Sequence, residues 1–126
     1  SWMSLLPASA VGFMSVAVLN LNNMRDMKSD ALAGKKTVAM ALGFETSKWY
    51  QYVLIVTPFL LIGLFLYVEI QYLKSIHFLF LLAFPIALKH LIQVAKVKDI
   101  QDYDPMLKIV ALNTLLLCLS LGLSLI

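Results

Sequence analysis

Asn22, Asp26 and Asp30 stand four residues apart. Asn23, Arg25, Lys28, Lys35 and Lys36 crowd around them in the stretch LNLNNMRDMKSDALAGKKT. If the chain is helical there, the three share one face. Two carboxylates at that spacing repel each other unless a cation lies between them. A site with few carboxylates suits magnesium, which commonly keeps waters and completes its shell with substrate phosphates. Arginine adds a planar fork that matches phosphate oxygens, and lysine a mobile point charge. The chemistry these types can do is to hold a diphosphate bridged to Mg2+, with Asp26 and Asp30 as the metal ligands. The same spacing is equally compatible with a solvated loop whose charges only follow membrane topology. Asparagines sunk into a helix end favour the functional reading, because polar groups at membrane depth are costly and usually line a cavity.

The elements that must position this cluster are written in the composition. The chain has 126 residues, of which 61% are hydrophobic and 13% charged. Soluble domains run about 45–50% apolar and about 25% charged. With a mean hydropathy of +0.87, the sequence reads as an all-α membrane protein. A spanning helix needs about 20 mostly apolar residues, and four stretches qualify, at about 5–24, 49–70, 76–95 and 105–126. Strands of a membrane barrel would alternate apolar and polar residues, and LIVTPFLLIGLFLYV does not. Pro58 and Pro85 fall inside the spans and should kink them. Asp104-Pro105 reads as an N-cap followed by proline at the first helical position.

Basic residues set the orientation. The loop at about 25–48 holds Arg25, Lys28, Lys35, Lys36 and Lys48, and the connection before the last span holds Lys89, Lys96 and Lys98. EIQYLKS between them holds only Lys74. By the positive-inside rule the first and third connections are cytoplasmic, and both termini lie outside. This places a multi-pass protein in the inner membrane with its polar cluster on the cytoplasmic side. Trp49 and Tyr50 at one end of the second span, and Tyr67 and Tyr72 at the other, suit the two interfaces. His77 and Glu69 read as interfacial. Lys89-His90 reads as snorkelling to the cytoplasmic face, with a position facing the cavity as the alternative, and KVKDIQDYD as a solvated loop, with a cover over the site as its alternative. The lone Cys118 excludes an internal disulfide framework. The pI of 9.1 comes without a nucleic-acid motif, so nucleic acid is not an expected partner. No signal peptide is evident. The apolar start at Ser1 reads as a fragment of a longer protein.

One resemblance goes further. NLNNMRDMKSDALAGKKTVAMALG, Asn20 to Gly43, has the form N-N-x-R-D-x-x-x-D-x-x-A-G-K-x-T-x-A-x-x-L-G. It resembles the second aspartate-rich region of the UbiA superfamily of intramembrane prenyltransferases, in its menaquinone branch. The ending YDPMLKIVALNTLLLCLSLGLSLI is similar to that branch's last helix. The resemblance implies a nine-helix bundle of which these are the last four helices. It implies that Asp26 and Asp30 hold magnesium, and that Asn22, Asn23 and Arg25 line the same polar cavity. Lys35 and Lys36 would help hold the diphosphate, Lys35 being the favoured one. The implied reaction joins a polyprenyl diphosphate to 1,4-dihydroxy-2-naphthoate, with loss of carbon dioxide, to give demethylmenaquinone. The first aspartate-rich motif of the family, N-D-x-x-D-x-x-x-D, is absent from this sequence. The N-terminal half of the same enzyme is therefore an implied partner, and the fragment alone is expected to be inactive. An acceptor such as 4-hydroxybenzoate stays open, as does a piece of a transporter or channel. The near-absence of charge from the helix centres favours a phosphate site over a transport path.

Overall fold

The structure, a computed structural model, describes residues 2–70, 72 and 74–126. Gln71 and Leu73 of EIQYLKS, the connection expected to face outside, lie outside the described residues. Among the described residues six α-helices follow in order: α1 (Leu5–Arg25), α2 (Met27–Leu32), α3 (Val38–Leu42), α4 (Phe44–Glu69), α5 (Phe84–Lys96) and α6 (Asp104–Ser124). The 3-10 segments Trp2–Ser4, Ser75–Ala83 and Ile100–Tyr103 lead into α1, α5 and α6. No strand occurs among the described residues. Trp2–Arg25, Phe44–Glu69, Ser75–Lys96 and Ile100–Ser124 are long and apolar enough to cross a membrane. The all-α, four-span expectation holds.

A 4-3 spacing builds the core. Ala10, Met14, Ala17, Leu21 and Met24 are fully buried along one stripe of α1. Residues three and four apart stack on one face of a helix, and α1 uses that face mainly against α4, with α6 as its second neighbour. Leu54, Ile55, Phe59, Ile62 and Leu66 answer from α4, and Met106, Val110, Leu117 and Leu121 from α6. The opposite faces stay apolar and exposed, as at Leu60 and Leu112, which suits lipid or further protein rather than water.

Three local expectations are corrected. The connection at 25–48 is not a plain loop, because α2 and α3 form within it and α4 begins at Phe44 rather than near residue 49. Glycines set those ends: Gly34 has φ +71° and Gly43 φ +81°, conformations that a Cβ disfavours. Pro85 does not kink a helix. It sits in the first turn of α5, where its missing N–H costs nothing, while Pro58 does lie inside α4. Asp104 is not an N-cap. The 3-10 turn runs directly into α6, Asp104 is already helical, and its carboxylate turns elsewhere.

Candidate functional site

The polar cluster sits on a corner between α1 and α2. Asp26, at φ −93° and ψ 7°, interrupts the helix. The register survives the break: Asp26 N–H donates to Asn22 O at 3.0 Å, and Asp30 N–H to Asp26 O at 2.8 Å. Asn22, Asp26 and Asp30 are thus linked in succession, as their spacing predicted. At the end of α2, Gly34 N–H reaches Ala31 O at 3.1 Å and Lys35 N–H reaches Asp30 O at 2.9 Å. This paired closure needs a left-handed residue, and Gly34 supplies it. The chain folds back, and Lys35 Nζ meets Asp30 Oδ1 at 2.9 Å. Thr37 then starts α3 by accepting from Met40 N–H at 3.3 Å.

Arg25 ties the corner together. Nε donates to Asp26 Oδ1 at 2.8 Å, and Nη2 to Asp26 Oδ2 at 3.0 Å and Asn22 Oδ1 at 2.7 Å. Nη1 donates to Asp104 Oδ1 at 3.0 Å, at the start of α6. The hydrogen bond from Arg25 holds the Asp26 carboxyl below its usual range. The hydrogen bond and charge of Asp30 raise the Lys35 ammonium above its own. Arg25 therefore favours the ionised form of the Asp26 carboxyl, and the Lys35 ammonium stands against Asp30. Among the described residues no three His, Cys, Asp or Glu side chains gather into a metal cage. Two neighbouring carboxyl side chains are still a donor set that fits magnesium taking phosphate and water for the rest of its shell. Asn23 is half-buried, and Lys28 and Lys36 are exposed on the same corner.

Beneath the corner lies a buried polar chain that the sequence reading missed. Asn20 Nδ2 donates to Gln51 Oε1 at 2.9 Å and to Ser47 O at 3.3 Å. Gln51 Nε2 lies 3.1 Å from His90 Nε2. Because Gln51 spends its oxygen on Asn20, its amide must donate to the histidine. That assigns His90 as neutral, with its proton on Nδ1. His90 is 1% exposed, so it does not snorkel; it faces inward and couples α5 to α4 and α1. Lone Asn, Gln and His residues in apolar runs were the available signal. Lys48 is also buried, donating to Val97 O at 2.8 Å and Glu45 Oε1 at 3.1 Å, over the Phe44 ring. KVKDIQDYD is accordingly not a solvated loop throughout, since Val97 and Tyr103 are buried. At the far end, His77 Nδ1 accepts from Lys74 N–H at 2.8 Å and starts the 3-10 segment.

The UbiA prenyltransferase family pattern matches residues 1–114. The 1,4-dihydroxy-2-naphthoate octaprenyltransferase of Haemophilus influenzae is 35% identical over 124 residues, covering 94% of this chain and 39% of its own. The protein of the same name from Escherichia coli is 36% identical over 104 residues, covering 82% of this chain and 33% of its own. The chain thus spans well under half the length of these relatives. No solved structure matches.

Proposed function

The chain belongs to the UbiA prenyltransferase family, and from that premise we propose that it is one part of a magnesium-dependent prenyltransferase acting on 1,4-dihydroxy-2-naphthoate. It supplies the last four helices of a nine-helix bundle and one wall of the diphosphate site. The remainder, with the other aspartate-rich motif, comes from the N-terminal half. The site opens at the cytoplasmic face of the inner membrane. The observation that supports this most is the corner itself: Asn22, Asp26 and Asp30 in one register, with Arg25 and Lys35 beside them. The acceptor is inferred from the two relatives' names.

Asp26 and Asp30 would hold magnesium, which when bound neutralises charge on a departing diphosphate. Lys35 and Lys36 offer point charges where negative charge grows as the allylic C–O bond breaks. Diphosphate leaves with the bonding pair. The electron-rich ring then attacks the allylic carbon, and its carboxylate departs as carbon dioxide, returning the electron pair to the ring and giving demethylmenaquinol, the reduced form of the quinone. The apolar helices keep water from the allylic cation. A transport path would need charge at mid-depth, yet no Asp, Glu, Lys or Arg occurs in 1–24, 49–68, 75–88 or 109–126.

Carboxyl-labelled acceptor separates the possible acceptors. Membranes carrying the full-length gene product are given magnesium, a polyprenyl diphosphate and labelled dihydroxynaphthoate. Labelled carbon dioxide and a prenylated naphthoquinol are expected. Prenylation of 4-hydroxybenzoate with its carboxylate retained, and none of the naphthoate, would overturn the acceptor.

A further inference from the structure

Asp104 reaches the corner from the far end of the sequence. Its Oδ1 accepts from Arg25 Nη1, while the other engaged donors of that guanidinium are turned to Asp26 and Asn22. One planar fork therefore joins two carboxylates from two helices. The anchor is well placed although the Asp104 side chain is 73% exposed. Its neighbour Tyr103 is fully buried, with its ring 6.1 Å from Phe44. The buried Lys48 ammonium holds the Val97 carbonyl at 2.8 Å. Residues 97–104 are thereby pinned to the first turns of α4, and the Asp104 carboxylate is presented to Arg25 from a fixed backbone.

We propose that Asp104 is a positioning residue of the diphosphate site, fixing the Arg25 guanidinium so that Arg25 braces Asp26 instead of binding phosphate itself. The inference rests on the proposed function. A guanidinium carries many rotamers, and a second carboxylate fixes its plane. Four hydrogen bonds already spend the fork on the protein. Freed from Asp104, Arg25 loses its fixed plane and the Asp26 carboxylate loses its orientation. Exposed ion pairs add little to stability, so the effect belongs in ligand affinity and not in folding.

The test uses the full-length gene product in detergent, with Asp104→Asn, Arg25→Gln, the double variant and Asp104→Glu. Binding of an unreactive polyprenyl thiodiphosphate is measured by calorimetry across a magnesium series that includes none, alongside thermal unfolding. Asp104→Asn should unfold within about 2 °C of wild type, as an exposed pair implies. It should bind about five- to tenfold more weakly and need more magnesium to saturate, with Asp104→Glu restoring most of the loss. In the Arg25→Gln background, Asp104→Asn should add less than about twofold, because the two act through one contact. Unchanged affinity in Asp104→Asn, or losses that multiply in the double variant, would overturn the inference while leaving the function intact. No thiodiphosphate binding by the wild type would overturn both.

Discussion

Asp26 does two jobs at the residue scale: it breaks the helix, and it takes both arms of Arg25's inner edge. Neighbours in sequence do not face each other on an unbroken helix. The Arg25–Asp26 pair was therefore not legible, although the 22/26/30 spacing was. The pair has a pH signature. Its Asp26 carboxyl is held low, chiefly by the Arg25 hydrogen bond. The stabilisation is complete above the unfolded carboxylate pKa and is lost as pH falls through the lowered folded value. The stability gap between wild type and Asp26→Asn should thus be constant near neutrality and close as acid is added, as followed by thermal unfolding against pH. Lys35 runs the other way. Its pKa is raised by Asp30, so its contribution holds below the ordinary lysine range and fades only above it. Gly34 is the hinge that brings Lys35 to Asp30. Its φ of +71° is barred to a β-branched residue, so Gly34→Val should cost about 1–2 kcal/mol. Its KM for the prenyl diphosphate should rise, whereas Gly34→Asn, tolerant of that region, should cost less.

Between elements, the chain from Asn20 through Gln51 to His90 decides how α1, α4 and α5 meet below the corner. Its members were visible as polar letters in apolar runs, but a single span does not say which of its faces meets a neighbour. The 4-3 stripe of α1 was not legible: apolar letters run all round the helix, so composition does not mark which face is buried. His90→Leu leaves the Gln51 amide buried without an acceptor, and an orphaned buried donor costs about 1–3 kcal/mol. His90→Gln can place an oxygen near the Nε2 position and should recover much of that. Chemical unfolding of the two variants in mild detergent checks the order. Equal stability of His90→Leu and wild type would remove the hydrogen bond from the account.

For the whole molecule, spans and polarity were easily read because length and apolar composition dominate at a membrane. The short helices α2 and α3 were not. At six and five residues they are too short to form alone, and they exist because Gly34, Thr37 and Gly43 set their ends. The basic connections set the proposed orientation: a cysteine introduced at Lys36, with Cys118 replaced by Ala, should react with an impermeant maleimide in inside-out vesicles and not in intact cells. Labelling from outside the intact cell would invert the topology.

The most direct measurement is prenyl transfer by the full-length gene product, wild type against Asp26→Asn, each with and without magnesium. The corner's role predicts robust wild-type turnover that vanishes without magnesium, and a loss of about 100-fold or more in the variant, the scale of removing one group that stabilises transition-state charge. Equal turnover by Asp26→Asn, with magnesium still required, would contradict the placement of the metal and diphosphate at this corner.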